Sequence, residues 1–272
     1  MHFFKRTTAF LLLILATVVA AKFNLYDLEG SPGQFEKWRG QRIYIVKPED
    51  VTKRSLFQRL TGSKVGLLLL SGARGIQLKD YRDVADQFAS RGYVVAAPDM
   101  FGEEYAQPDR KLYGWDPQRF SNQFLPSVID PVIVNTLQWF DSQTNVKEIV
   151  GAGYSFGARH IARYLHGKKY GLKAGFVAHP ALLNPTECDN IEKPIYFAFA
   201  AQNDEWFVRE AQEKILGIML EGNVAFAASQ YSGTRRHFAV ATNETDEQVV
   251  FAKKNAFEQA VAFLSRFHAK LT

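Results

Sequence analysis

The residues best placed to do chemistry are Gly153-Tyr154-Ser155-Phe156-Gly157, which match the pattern G-x-S-x-G. The pentapeptide follows the apolar run Glu148 to Ala152 and opens a helical pattern at Phe156. A sharp strand-to-helix turn of this kind lifts a serine hydroxyl above the edge of a sheet. The helix start also offers backbone N–H groups to a negative charge. Serine is a weak nucleophile at neutral pH and needs a base, held in turn by an acid. In this motif the partners follow in the order Ser, Asp or Glu, His. His237 lies in a loop after the last strand pattern and is the expected base. His160 and His166 sit on the helix leaving the turn, where their direction is wrong, and His268 belongs to the terminal helix. Asp204 follows the strand pattern Pro194 to Ala200 and is the expected acid, with Glu205 the alternative. An acid there holds the imidazole tautomer and stabilises the imidazolium. The oxyanion needs two backbone donors. Phe156 supplies one, and Ala73, in Ser71-Gly72-Ala73-Arg74-Gly75, supplies the other, with Gly72 next in line. His179-Pro180 ends a strand near this site and reads either as a turn histidine or as a substrate contact.

The elements that must position these residues alternate. Strand patterns occur at 42–46, 64–70, 93–97, 147–152, 174–178, 194–200 and 224–230. Helical patterns run over 80–91, 127–141 (carrying Val128, Val132, Leu137 and Trp139), 156–165, 208–220 and 250–270. The last of these carries Phe257, Val261, Leu264 and His268 on one side. Such alternation predicts an α/β fold, a mostly parallel sheet with helices on both faces. Asp99 precedes the serine and is expected to fix its own turn. Residues 102–123 form the longest stretch without clear periodicity. Tyr105, Tyr113, Trp115 and Phe120 within it suggest either a binding loop or a surface loop packed by its own rings.

The 272 residues, 47% of them hydrophobic and 22% charged, can bury a sizeable core and exclude a disordered chain. One cysteine, Cys188, excludes a disulfide scaffold, and it is expected to be buried. A mean hydropathy of -0.18 excludes a multi-span membrane protein. A net charge of +5, without a Lys/Arg block, does not point to a nucleic-acid partner. No histidine spacing suggests a metal site, and no glycine pattern matches a P-loop or dinucleotide fingerprint, so no cofactor is expected.

Lys5 and Arg6 precede the uncharged run Ala9 to Ala21. A basic start, an apolar stretch of about a dozen residues and small residues at its end describe a secretory leader, cleaved after Ala20 or Ala21. The expected organisation is a leader over 1–21 and one domain over 22–272. The mature chain should then be exported and not stably membrane-bound. Asn243-Glu244-Thr245 is a sequon, which makes Asn243 a possible glycosylation site after export.

Taken together, the stretch Gly66 to Gly102, the turn Gly153 to Arg159, His179-Pro180, Asp204 and His237-Phe238-Ala239-Val240 resemble the dienelactone hydrolase family. Arg91-Gly92-Tyr93-Val94-Val95-Ala96-Ala97-Pro98-Asp99 is especially similar to it. The resemblance implies an α/β-hydrolase fold that acts on lactones or esters without a cofactor. Ser155 stands where the family usually carries cysteine, and Gly72 stands where it often carries glutamate. No arginine follows His237, where the family's dienelactone-cleaving enzymes carry one for the substrate carboxylate. The expected function is a secreted serine hydrolase of small esters or lactones. The alternative is a catalytically silent protein of the same fold that binds a small molecule or carbohydrate.

Overall fold

The computed structural model describes residues 30–51, 64–106, 116–167, 171–201, 206–240 and 245–268. The chain divides into two compact units, 1–31 and 32–272, and the architecture below is that of the second. The leader expected over 1–21, Asp204 and Asn243 lie outside the described residues.

Eight strands form one sheet. In chain order they are β1 (Gln34–Trp38), β2 (Gln41–Val46), β3 (Lys64–Leu70), β4 (Val94–Pro98), β5 (Val146–Tyr154), β6 (Leu172–Ala178), β7 (Ile195–Ala200) and β8 (Phe226–Tyr231). Their spatial order is β1-β2-β4-β3-β5-β6-β7-β8. β1–β2 and β2–β4 pair antiparallel, and every other pair is parallel. The helices are α1 (Pro48–Val51), α2 (Lys79–Ser90), α3 (Pro117–Gln123), α4 (Pro126–Asp141), α5 (Phe156–Arg163), α6 (Arg209–Glu221) and α7 (Glu247–Arg266). The expected α/β-hydrolase architecture is therefore present.

Side-chain alternation divides the core into two. Leu68, Leu70, Ile43, Ile45, Phe197 and Phe199 face a cluster that includes Ile129 and Ile133 of α4, Ile161 of α5 and Ile215 of α6. Leu67, Leu69, Tyr44, Val46, Tyr196 and Ala198 face the other, with Val84 and Phe88 of α2 and Ala256 and Ala260 of α7. Both faces of the central strands are thus apolar, which is why β3 reads as a continuous hydrophobic run.

Several local expectations need correction. Val128 is 47% exposed, whereas the expected Leu137 and Trp139 are buried together with Ile129, Ile133 and Phe140, and Val132 packs against that cluster. On α7 the buried stripe is Ala252, Ala256, Ala260 and Leu264, with Phe257 and Val261 flanking it. Small side chains let that helix lie close to the sheet, so its larger residues fall to the sides. β1 was missed because its half-buried sequence QFEKW lacks an apolar run. Within 102–123, a 3-10 turn covers Gly102–Glu104 and α3 follows, capped by the Asp116 side chain accepting from Gln118 N–H at 2.9 Å. Asp99 does fix its own turn, accepting from Gly102 N–H at 2.9 Å and Phe101 N–H at 3.3 Å. Cys188 is buried, and burial pushes its thiol up to about 12.

Two glycines test the packing in opposite senses. A Cβ on Gly157 would lie 2.2 Å from the Leu70 carbonyl oxygen, a backbone atom that cannot swing aside, whereas one on Gly217 in α6 meets nothing within 4 Å. Urea unfolding is expected to show Gly157→Ala losing at least about 2 kcal/mol. Gly217→Ala should gain about 0.5–1 kcal/mol from helix propensity.

Candidate active site

The site is assembled at the C-terminal ends of the parallel strands. β3 lies between β4 and β5, so the chain leaves it first to one side and then to the other. Open α/β sheets bind ligands in the crevice at such a reversal.

Ser155 stands between β5 and α5 with φ 52° and ψ −115°, a conformation that L-residues rarely adopt. Holding it there costs about 1–3 kcal/mol. Surrounding contacts enforce it. Ser155 N–H donates to the Ala178 carbonyl at 3.0 Å, and the Ser155 carbonyl accepts from Ala181 N–H at 3.1 Å. The motif glycines are required by space. A Cβ on Gly153 would come 2.7 Å from the Gly157 carbonyl oxygen and 2.8 Å from Ala158 Cα. The turn therefore closes only if both positions lack side chains.

α5 is held by ion pairs on its outer side. Arg159 Nε donates to both Glu187 oxygens at 2.8 and 2.9 Å, and Arg163 makes two bonds of 2.9 Å to Asp130. Glu187 also accepts from Asn184 N–H at 3.0 Å, completing a capping box on the Pro185–Cys188 turn. His160 is fully buried and belongs to this network. Burial and the two neighbouring guanidinium groups hold it well below its usual pKa, so Nδ1 accepts from Arg163 at 3.1 Å. It does not line the cleft described next.

One cleft is lined by Ala73, Phe120, Ser155, Phe156, Ala181, Leu182, Trp206, Arg236 and His237. Ser155, Phe156, Ala73 and His237 thus come together from three separate loops, as their residue types suggested. The Ala73 turn is fixed by Ala106 N–H donating to the Ala73 carbonyl at 2.7 Å and by Gly75 N–H donating to the Gly72 carbonyl at 2.9 Å. His237 adopts φ 75° in the loop after β8. The next residue, Phe238, is buried against Tyr231, their ring centroids 5.2 Å apart, and anchors that loop. Thr234 ties it to the loop after β7: its hydroxyl donates to the Tyr231 carbonyl at 2.6 Å and accepts from Ala201 N–H at 3.4 Å. Among the described residues no His/Cys/Asp/Glu cluster is disposed to hold a metal ion.

Sequence reasoning did not single out Trp206 or Leu182. The Arg236 guanidinium lies 5.1 Å from the Trp206 ring centre, and Leu182 N–H donates to the Trp206 carbonyl at 3.0 Å. Nothing local in the sequence marks these residues, since their contacts join loops after different strands. Phe120 was noted only as part of an aromatic stretch. In the structure it reaches the cleft while packing on Phe101, Phe124 and Phe156.

His179 follows β6 with φ 36° and is 2% exposed. Burial pushes its pKa down to about 3, and the Arg236 cation adds to the effect, so the ring is neutral. Among the described residues neither ring nitrogen finds a hydrogen-bond partner on another residue. A buried orphaned polar group costs about 1–3 kcal/mol.

The comparisons with known proteins agree with this arrangement. Residues 57–268 match the model of the dienelactone hydrolase family. The chain belongs to that family. It is 28% identical over 242 residues to the hydrolase pyvD of Aspergillus violaceofuscus, covering 88% of this chain and 91% of that one. Among solved structures, a dienelactone hydrolase-like promiscuous phosphotriesterase from metagenomic libraries, P91, superposes with a TM-score of 0.67 at 13% identity, covering 87% of this chain and 98% of that one. The esterase Est2 of Thermogutta terrifontis superposes with a TM-score of 0.61 at 14% identity, covering 89% and 94%. At such identities these two structures show a shared fold. Family membership makes the chain a dienelactone hydrolase-like hydrolase acting on small molecules.

Strain at the turn is directly measurable. Ser155→Gly is expected to be more stable than Ser155→Ala by about 1 kcal/mol in urea unfolding, because glycine accepts a positive φ without penalty. Equal stabilities would mean that the turn stores no strain.

Proposed function

We propose that this family member is a serine hydrolase of small carboxylic esters or lactones. The observation that carries the reading is the convergence of Ser155, His237, Phe156 and Ala73 on one cleft, with the serine on a strained turn. Ser155 Oγ attacks the carbonyl carbon while His237 takes the hydroxyl proton. The Phe156 and Ala73 amides donate to the oxyanion. Collapse breaks the bond to the leaving oxygen, which receives the proton from His237 and leaves an acyl-serine. In a lactone that oxygen stays tethered to the acyl group. Water then attacks the acyl-serine, giving its proton to His237, and the acid departs as Ser155 regains a proton. Asp204 is the acid assigned to hold the His237 imidazole.

The cleft favours small, largely apolar substrates. Phe120, Ala181, Leu182 and Trp206 supply apolar walls. The leader pattern over residues 1–21 extends the proposal to an exported enzyme, for which N-terminal sequencing of the mature protein should begin at Ala21 or Lys22.

Hydrolysis of p-nitrophenyl acetate tests the reaction. Ser155→Ala and His237→Ala are each expected to lower kcat/KM by at least about 10³-fold with unchanged circular dichroism, and the double variant should lose little more. A Ser155→Ala protein as active as its parent would contradict the reading. A parent without turnover on esters or lactones would favour a silent binding protein.

A further inference from the structure

His179 has no part in the reaction written above, yet its position is an expensive place for a histidine. The backbone lies at φ 36°, where glycine is the easy residue. The ring is buried with both nitrogens orphaned, where an aliphatic side chain would leave nothing unsatisfied. A residue chosen for packing alone would avoid the second of these costs.

Its surroundings indicate what the imidazole serves. The ring centroid lies 5.8 Å from that of His237 at an interplanar angle of 58°, 5.6 Å from Phe238 and 5.9 Å from Tyr154. His179 N–H donates to the Ala198 carbonyl at 2.8 Å, fixing the segment to β7. Ala178 and Ala181, on either side of it, grip the Ser155 backbone. One short segment therefore holds the nucleophile's main chain and faces the base's ring.

Resting on the serine-hydrolase reading, we propose that His179 is a positioning residue for the base, its imidazole supplying a fixed dipole beside the His237 ring. When Ser155 loses its proton, His237 becomes a cation in a partly buried site. An acceptor nitrogen of the His179 ring, turned toward His237, favours the charge without reorganisation. An aliphatic side chain would not, and a second cation would oppose it. The work of the His179 nitrogens is done on a charge that exists only during turnover. His179 touches neither cleft nor substrate and acts through His237.

The test compares His179→Leu, close to histidine in volume but without nitrogens, with His179→Gln, which keeps a polar group. Steady-state hydrolysis of p-nitrophenyl acetate, thermal unfolding and ¹⁵N-histidine NMR are read on the same full-length proteins. The Leu variant should lose about tenfold in kcat with KM within about twofold. Its Tm should hold or rise, because two orphaned polar atoms are gone. The Gln variant should recover about threefold or more of the lost kcat. The His237 ring resonances should move in the Leu variant. A purely structural role would instead lower Tm and kcat together. A Leu variant with the parent's kcat overturns the proposal, as does a kcat loss that follows a fall in Tm while the His237 signals stay in place. If the parent itself has no esterase turnover, the serine-hydrolase reading fails. The NMR comparison then decides alone, and unmoved His237 signals in a folded variant overturn the pairing of the two rings.

Discussion

The structure depends on how closely α5 approaches the ends of β3 and β5. Gly157 packs against the Leu70 and Ser71 carbonyls with no room for a side chain, and Gly153 packs equally closely beneath the start of the helix. That contact forces Ser155 into its rare conformation and turns the N-terminus of α5 toward the cleft. The Arg159–Glu187 and Arg163–Asp130 pairs hold the helix from its outer side. The geometry of Ser155 is thus a consequence of backbone packing, and it would survive many changes of side chain elsewhere.

His237 is set by a separate device. The loops after β7 and β8 are joined through Thr234, and Phe238 is sunk into the core beside Tyr231 and His179. His237 is therefore held at its own loop's root while its ring reaches the cleft. A serine fixed by backbone contacts and a histidine fixed by core packing meet without sharing a sequence neighbourhood.

Much of this was legible in the residues. β3 declared itself because a strand covered on both faces must be apolar at every position, and the serine motif because a strand precedes it and a helix follows. Ala73 and Phe156, named from the needs of an oxyanion, do line the cleft. The edge strand β1 and the buried face of α7 did not follow. A half-exposed strand lacks a strong period, and an alanine stripe looks weaker than the larger residues beside it. Trp206 and Leu182 were hidden for another reason: they meet only after loops from different strands are brought together. His179 was visible as a histidine after a strand, but its orphaned nitrogens and its place beside His237 exist only in three dimensions.

The central claim is that Ser155 is an activated nucleophile. Reaction of the protein with a fluorophosphonate probe, followed by intact-mass measurement and peptide mapping, tests it without assuming any natural substrate. The account predicts one adduct per chain, mapped to Ser155 and abolished in Ser155→Ala and strongly slowed in His237→Ala. A folded protein that stays unlabelled, or that is labelled equally well in Ser155→Ala, would contradict it.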